Sequence, residues 1–294
     1  MDERFTNDHK DHHKEKPFLI LFVFILFLLT FTSTIGEAAA YNHASAIVLS
    51  DADSGEILYA ENPDLSMEIA STTKILTAIT VIENADIFMN YTIPTQAVGV
   101  EGSSIYLRAG ENWRILDLLY GLMLRSGNDA ATALALATSG STEEFARLMN
   151  ATARRIGASN SNFANPHGLH DGNHYSTASD MARITIYALN CPIFAEISKT
   201  KTHKCVKTGP NGSEQVVFYN KNKLLYSYPD AIGVKTGYTR HSGRCLVSAA
   251  EREGRRLVCV ALNVYDTYGV SRSLFEKYFS SGQNACGSSE NEVS

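Results

Sequence analysis

Three short motifs in this chain carry the side chains that a serine acyl-transfer reaction needs. A serine stands three residues before a lysine in Ser71-Thr72-Thr73-Lys74, a serine and an asparagine flank a glycine in Ser126-Gly127-Asn128, and Lys235-Thr236-Gly237 follows. A serine hydroxyl is a weak nucleophile until a neighbouring base takes its proton. A lysine can be that base when its surroundings keep it neutral for part of the time. The set therefore supplies a nucleophile, a base, a proton relay and a cation that anchors an anion.

Each motif occurs a second time, so its surroundings must decide which copy is functional. The second copies are Ser198 to Lys201, Lys207 to Gly209 and Ser289 to Asn291. Short patterns of this kind arise easily by chance. A polar, cationic run surrounds Ser198 and predicts an exposed strand or loop. The Ser-x-x-Lys copy that begins at Ser71, by contrast, is followed by an almost entirely apolar run.

The run from Ile75 to Glu83 is apolar around most of its circumference, which is typical of a helix buried inside a domain. We therefore predict that Ser71 lies in the first turn of this helix. Residues three apart share one helix face, so Lys74 would stand beside the Ser71 hydroxyl. The amino end of the helix also favours negative charge that develops there.

The two Lys-Thr-Gly copies differ in the same way. Turn-forming residues crowd the segment from Lys207 to Gly212, which predicts a hairpin tip. Lys235 instead lies in a β-prone run, and two further β-prone runs flank the hairpin-type connection at 251–254. An edge strand that carries Lys235 beside the buried helix would form a cleft.

The rest of the chain predicts an α+β domain. Two short β-prone runs at 46–49 and 56–59 form an opening hairpin, and residues 126–128 connect two helices. A capping box at 141–144 begins another helix, which ends at Gly157. Asp266 or Thr267 is expected to cap a last helix that runs through Tyr278.

Composition is consistent with an enzyme and argues against a nucleic-acid-binding, disulfide-rich or metal-binding protein. The chain has 294 residues, 44% of them hydrophobic, and a formal net charge of −5, which argues against nucleic acid as a partner. Its five cysteines include no close-spaced pairs of the kind that bind metals, and their number is odd. We therefore expect no disulfide framework, no metal and no cofactor. Cys245 and Cys259 either face each other on neighbouring strands or are small core residues. The histidines at positions 9, 12 and 13 lack a metal-binding framework.

The first forty residues are typical of a targeting segment. An apolar run from Pro17 to Phe31 follows charged residues and precedes small residues that end at Ala40. This pattern predicts a secretory signal peptide over residues 1–40, cleaved after Ala40. An uncleaved signal anchor, with membrane contact through residues 17–35, is the alternative. Either outcome places a catalytic domain of residues 41–280 outside the cytoplasmic membrane, with a disordered tail over 281–294.

The motifs, together with residues 122–131, 162–169 and 174–182, resemble the low-molecular-mass D-alanyl-D-alanine carboxypeptidases. These are penicillin-binding proteins of serine peptidase family S11. The resemblance covers nearly all of residues 44–280. It implies the β-lactamase/DD-peptidase-like fold, in which a five-stranded antiparallel sheet packs with helices beside a helical lobe, and the periodicity alone would not establish that fold.

The resemblance also implies the reaction. Such an enzyme removes the terminal D-alanine from peptidoglycan stem pentapeptides through an acyl-enzyme, and β-lactam antibiotics acylate the same serine. Ser71 would be the nucleophile, Lys74 its base and Ser126 the relay that protonates the leaving amine. Backbone N–H groups of Ser71 and Tyr238 would form the oxyanion hole.

Binding of the substrate falls to a second group of residues. Asn128 would bond the substrate amide and hold Lys74, while Lys235, Thr236 and Gly237 would receive the substrate beside its carboxylate. For Ser126 and Asn128, helix capping is a compatible structural role. Lys221 occupies a position where the family often has arginine. A lysine there is a point charge instead of a planar fork, and an ordinary solvated surface lysine is the alternative.

Two other functions share these motifs. A class A β-lactamase would add a glutamate that activates water, and no convincing equivalent follows Ser126. A non-catalytic penicillin-binding sensor would couple to a signalling domain, and none follows here. A serine–histidine pair built on His167 would leave both lysines without a role, so His167 is expected to be structural.

Overall fold

This computed structural model describes residues 45–286, which begin with a pair of strands and end with a long helix. The strands in chain order are β1 Ala46–Asp51, β2 Ile57–Glu61, β3 Asn90–Thr92, β4 Asn112–Arg114, β5 Thr202–Gly209, β6 Gly212–Tyr219, β7 Ala231–Thr239, β8 Gly243–Arg252 and β9 Arg255–Leu262. The helices are α1 Lys74–Asn84, α2 Ile115–Arg125, α3 Asn128–Ser139, α4 Thr142–Ile156, α5 Ala178–Leu189, α6 Pro192–Lys199, α7 Leu224–Ser227 and α8 Thr267–Cys286. The α+β prediction is confirmed.

The central sheet is antiparallel, with the order β2-β1-β9-β8-β7. It contains the predicted opening hairpin and the predicted hairpin turn between Arg252 and Arg255. Strand β7, which carries Lys235, lies at one edge, as predicted. The five-stranded sheet expected from the resemblance is therefore confirmed.

Both faces of this sheet are covered. Val258 and Val260 point into the large core that contains helices α1 to α5, while Leu257 and Cys259 point to the opposite face, against Phe275 of α8. Because neighbouring strand residues alternate between the faces, β9 is buried from Leu257 to Leu262.

The two core cysteines lie on opposite faces of the sheet. Ser248 is the residue opposite Cys259, and Cys245 packs in the other core cluster. Both are free, buried thiols. The alternative in which they face each other is wrong, and the core alternative is confirmed.

Helix α1 is enclosed by other helices and by β7, as its apolar circumference predicts. Ser141 caps α4 as predicted, because its hydroxyl accepts a hydrogen bond of 3.1 Å from the Glu144 N–H, but the Glu144 carboxylate bonds Arg147 and does not complete the capping box. That helix ends where predicted, at Gly157 with a left-handed φ of 90°.

A second sheet, with the order β3-β4-β5-β6, was not predicted. Strands β3 and β4 have only three residues each, too few for an alternating pattern to be read. The hairpin tip at Lys207 to Gly212 is confirmed, because Gly209 pairs with Gly212 between β5 and β6.

The structure corrects two boundaries. Ser198 is not in an exposed strand or loop: it is buried in the last turn of α6, because Phe194 and Ile197 anchor that helix in the core. Helix α8 continues to Cys286, past the predicted domain end at 280, and the hydroxyls of Ser280 and Ser281 bond to carbonyl oxygens of its preceding turn.

No helix within residues 45–286 has the length and apolar character needed to cross a bilayer. The predicted signal segment and most of the predicted tail lie outside the described residues.

Candidate active site

Ser71 lies in a tight 3₁₀ turn, Ala70–Thr73, that leads directly into α1. The prediction of a first α-helical turn is therefore close but not correct. The hydroxyl of Thr72 donates to the Ile69 oxygen at 2.6 Å, and that of Thr73 to the Ala70 oxygen at 2.7 Å. These bonds fix the turn that presents the serine.

Lys74 is fully buried, and its Nζ contacts three oxygen atoms. These are the Ser71 hydroxyl at 2.9 Å, Asn128 Oδ1 at 2.7 Å and the main-chain oxygen of His167 at 2.6 Å. Burial, and then the nearby charge of Lys235, hold the pKa of Lys74 well below its usual range. The structure thus brings nucleophile and candidate base together in the way that favours a neutral amine.

The neutral amine can point its lone pair in only one useful direction. A carbonyl oxygen and an amide oxygen are acceptors only, whereas a hydroxyl both donates and accepts. Asn128 Oδ1 and the His167 oxygen must therefore receive the two N–H groups of neutral Lys74. Its lone pair is left for the proton of Ser71.

The second motif lies between two helices, as predicted. Ser126 ends α2 with a left-handed φ of 63°, and Asn128 is the first residue of α3. Neither helix end is capped by a side chain of this motif. The Asn128 side chain instead accepts from Lys74 and donates to the main-chain oxygen of Glu101 at 2.5 Å.

The third motif lies on β7 beside the serine turn. The Lys235 side chain is buried, and its Nζ donates to the main-chain oxygen of Thr236 at 3.0 Å. Burial, together with the charge of Lys221, lowers the pKa of Lys235 to about 7. A Cβ added at Gly237 would lie 3.1 Å from the Ser71 nitrogen, so only glycine allows this approach without displacement. The neighbouring Tyr238 has an exposed side chain.

Lys221 belongs to the same group of charges. Its charge lowers the pKa of both Lys235 and Lys74, and its Nζ lies 3.4 Å from the Ser103 hydroxyl. The backbone N–H of Lys221 donates to the Leu124 oxygen, two residues before Ser126. Positive charge on Lys235 and Lys221 thus lies beside the neutral Lys74, an arrangement that attracts an anionic ligand.

His167 does not form a serine–histidine pair. Its contribution is its main-chain oxygen, while its ring accepts from the Leu169 N–H at 3.2 Å. Burial and Lys74 lower the pKa of the ring to about 3, so it is neutral near pH 7. The adjacent Gly168 packs on the Ala70 carbonyl, where an added Cβ would come within 1.9 Å of the oxygen.

The second copies of the motifs are occupied in structural roles. Lys207 is paired with Glu111 at 2.7 Å and Glu214 at 3.1 Å. The Ser198 hydroxyl donates to the Ile232 oxygen at 3.0 Å. The copy at Ser289 lies outside the described residues.

Comparison with known proteins decides the family. The peptidase S11 family, described as D-alanyl-D-alanine carboxypeptidase, matches residues 33–266. The chain belongs to this family. The prediction of a serine-type peptidase of family S11 is thereby confirmed.

Relatives in this carboxypeptidase family are about one-third identical. D-alanyl-D-alanine carboxypeptidase DacF of Bacillus subtilis is 36% identical over 225 residues, which cover 74% of this chain and 57% of DacF. DacB2 of Mycobacterium tuberculosis is 35% identical over 217 residues, which cover 73% of each chain. The chain thus spans little more than half the length of DacF.

A solved structure shows the same fold. The crystal structure of the Streptomyces K15 DD-transpeptidase superposes with a TM-score of 0.70 at 34% identity, covering 74% of this chain and 88% of that one. The predicted β-lactamase/DD-peptidase-like fold is confirmed.

Sequence reasoning missed part of this carboxypeptidase-family site. The buried Asp129 carboxylate accepts from the Ser104 hydroxyl at 2.5 Å and from the N–H groups of Ile105 and Leu107 at 3.1 and 3.0 Å. It thereby fixes the loop whose Glu101 oxygen receives Asn128. An acidic residue next to the Ser-Gly-Asn motif, in the first turn of a helix, was the available signal.

Proposed function

We propose that this protein is a serine-type carboxypeptidase that removes the terminal D-alanine from peptidoglycan stem pentapeptides. The observation that carries the proposal is the position of the fully buried Lys74. Two oxygen atoms that can only accept hydrogen bonds receive its N–H groups, so its lone pair points at Ser71. Family membership supports the substrate class, because the matched family is described by this activity.

In the acylation step, Lys74 takes the Ser71 proton as Oγ attacks the carbonyl carbon of the D-Ala-D-Ala bond. The N–H groups of Ser71 and Tyr238 receive the developing oxyanion. The proton then passes through Ser126 to the leaving amine, the C–N bond breaks, and D-alanine departs. Water resolves the remaining acyl-enzyme.

The positive charges of Lys235 and Lys221 would explain why the enzyme acts at the carboxyl end of a peptide. A terminal carboxylate would lie near Lys235 and Thr236, with Lys221 at the rim, and Asn128 would bond the substrate amide. A β-lactam carries a reactive carbonyl and a carboxylate in a similar relation, so it would acylate Ser71 and inhibit the enzyme. Gly237 keeps the strand close enough for both ligands to reach the serine.

The decisive assay measures D-alanine released from a diacyl-Lys-D-Ala-D-Ala peptide, together with covalent labelling by fluorescent penicillin. Ser71→Ala should abolish both signals, because no acyl-enzyme can form. Ser198→Ala, the matched control, should keep both, although it loses a buried hydrogen bond worth about 1 kcal/mol of stability. Labelling of the Ser71→Ala protein would contradict the proposal, and fast turnover of a chromogenic cephalosporin would favour a β-lactamase.

We further propose that the enzyme acts outside the cytoplasmic membrane, where its polymer substrate lies. An apolar run that ends in small residues before Tyr41 supports export. The intact mass of protein from the native host should place the mature amino terminus near Tyr41. Retention of residues 1–40 would indicate the signal anchor instead.

A further inference from the structure

Three side chains from distant parts of the sequence meet at the surface next to the serine turn. They are Glu68, His170 and His241, and their potential ligand atoms all lie within 4.8 Å of one another. His170 Nδ1 is 2.7 Å from Glu68 Oε1, and the rings of His170 and His241 stack with centroids 4.1 Å apart. None of these residues has a role in the acyl-transfer mechanism.

We propose that Glu68, His170 and His241 form a binding site for Zn²⁺. Two imidazoles and one carboxylate, with a water as fourth ligand, are a donor set that Zn²⁺ accepts in proteins. Such donors stand about 2.0–2.2 Å from a tetrahedral metal, so they lie roughly 3.3–3.6 Å from one another. The donor atoms here lie within 4.8 Å and both histidine side chains are exposed, so Zn²⁺ binding requires the stacked rings to turn until their nitrogen lone pairs converge.

A second cluster of potential metal ligands among the described residues is less suited to bind Zn²⁺. Asp117, His203 and Cys205 are equally close, but Asp117 already accepts hydrogen bonds from Arg114 and from His203. Burial raises the pKa of the Cys205 thiol to about 12, and a thiol must lose its proton to bind a metal. In the surface cluster the Glu68 carboxylate is bonded to His170, which is itself a proposed ligand, so the metal would replace that hydrogen bond, and no thiol has to lose its proton.

The site would connect the three segments that build the catalytic cleft. Glu68 stands three residues before Ser71, and His170 stands three residues after His167, whose oxygen holds Lys74. His241 lies in the turn between β7 and β8, beyond Tyr238. A bound ion would therefore join the nucleophile turn, the lysine-holding loop and the strand of the third motif.

The test is a titration of metal-stripped, full-length protein with Zn²⁺ against a chromophoric chelator. One equivalent should bind to the parent. His170→Ala, His241→Ala and Glu68→Gln should each weaken that binding by at least about tenfold, because loss of even an orienting partner typically costs 10- to 100-fold in metal affinity. Circular dichroism melting in the absence of metal verifies that each variant is folded.

Two control variants separate this site from other histidines. His203→Ala should retain the equivalent, and so should a triple alanine variant at His9, His12 and His13. Binding that survives His170→Ala and His241→Ala, or that disappears with the amino-terminal triple variant, overturns the proposal. Absence of any saturable Zn²⁺ binding by the parent overturns it as well. The result does not depend on peptidase activity.

Discussion

The side-chain amide of Asn128 donates a 2.5 Å hydrogen bond to the main-chain oxygen of Glu101 while its oxygen accepts from Lys74. One residue thus joins the candidate base to a loop that Asp129 holds on its other side. In the proposed mechanism, substrate binding and orientation of the base therefore depend on the same amide group. The predictions below separate the contributions of residues around it.

Exchange of each lysine for arginine distinguishes a proton acceptor from a fixed charge. Guanidinium stays protonated, so Lys74→Arg should lower the rate of penicillin acylation by roughly 10²- to 10⁴-fold, the usual contribution of a general base. Lys235→Arg keeps the charge and should retain measurable acylation. Lys201→Arg, at the exposed lysine that ends the second Ser-x-x-Lys copy, is the control and should match the parent. Equal acylation rates for the Lys74 and Lys235 variants would show that the assigned roles are wrong.

The pH profile should reveal the charge of Lys235. This lysine has a pKa of about 7 and loses its charge as the pH rises through that value, so kcat/KM for an anionic peptide should fall on the alkaline side. Lys235→Arg should remove that fall. Lys221→Ala removes the like charge that lowers the pKa of Lys235, and should move the fall to higher pH. If kcat/KM falls at the same alkaline pH in the parent and in both variants, Lys235 is not the group whose titration causes the fall.

Gly237→Ala tests the contact between β7 and the serine turn. The new methyl group would meet Ala70 Cβ, the Ile69 oxygen and the Ser71 nitrogen, each at 3.1 Å. The serine turn or β7 must then shift by a few tenths of an ångström, so acylation should slow by less than the roughly 10²-fold that a 1 Å misplacement causes.

Gly209→Ala is the matched control, because it makes the same change in the second Lys-Thr-Gly copy. A Cβ there meets only Glu111, with its closest atom at the ordinary distance of 3.6 Å. Acylation by this variant should equal that of the parent. A similar loss in both variants would mean that the effect is not one of active-site contact.

His174 should make the fold sensitive to acid. Burial lowers the pKa of this ring to about 4 from 6.5, so the unfolded chain binds a proton that the native chain refuses. The resulting stability is complete above pH 6.5 and is lost as the pH falls through 4, a change on the order of 3 kcal/mol. Urea unfolding between pH 7 and 4 measures it.

His174→Asn should reduce this dependence on pH, and the part that remains is expected from His167, whose pKa is lowered to about 3. The amide oxygen of asparagine takes the position of Nδ1, which accepts from the Ala164 N–H at 3.1 Å, and it does not titrate in this range. Absolute stability should decrease, because the contact between Nε2 and the Thr73 hydroxyl is lost. An unchanged slope would assign the acid sensitivity to other groups.

Local patterns were sufficient for much of this structure. The apolar run after Lys74 predicted a buried helix, the capping box predicted α4, and the choice of Lys235 over Lys207 followed from turn residues alone. Each of these features depends on neighbours in sequence. The family resemblance supplied the five-stranded antiparallel sheet but not its strand order, because periodicity does not determine which strands pair.

The missed features depend on contacts between distant segments. The main-chain oxygens of His167 and Glu101 have no side-chain signature, yet they hold Lys74 and Asn128. Ser198 stands in a polar run, but the apolar residues four and one positions earlier draw its helix into the core. Lys221 was ambiguous for the same reason, since only the folded chain places it near Lys235.

Lys74 and Lys235 are both enclosed, and their hydrogen-bond acceptors among the described residues are hydroxyl, amide and main-chain oxygens, not carboxylates. Protonation of an amine enclosed in this way opposes folding by several kcal/mol, so the native domain favours the neutral form of Lys74. An anion that reaches these lysines favours their protonated forms instead. Its binding therefore stabilises the whole domain as well as occupying the site.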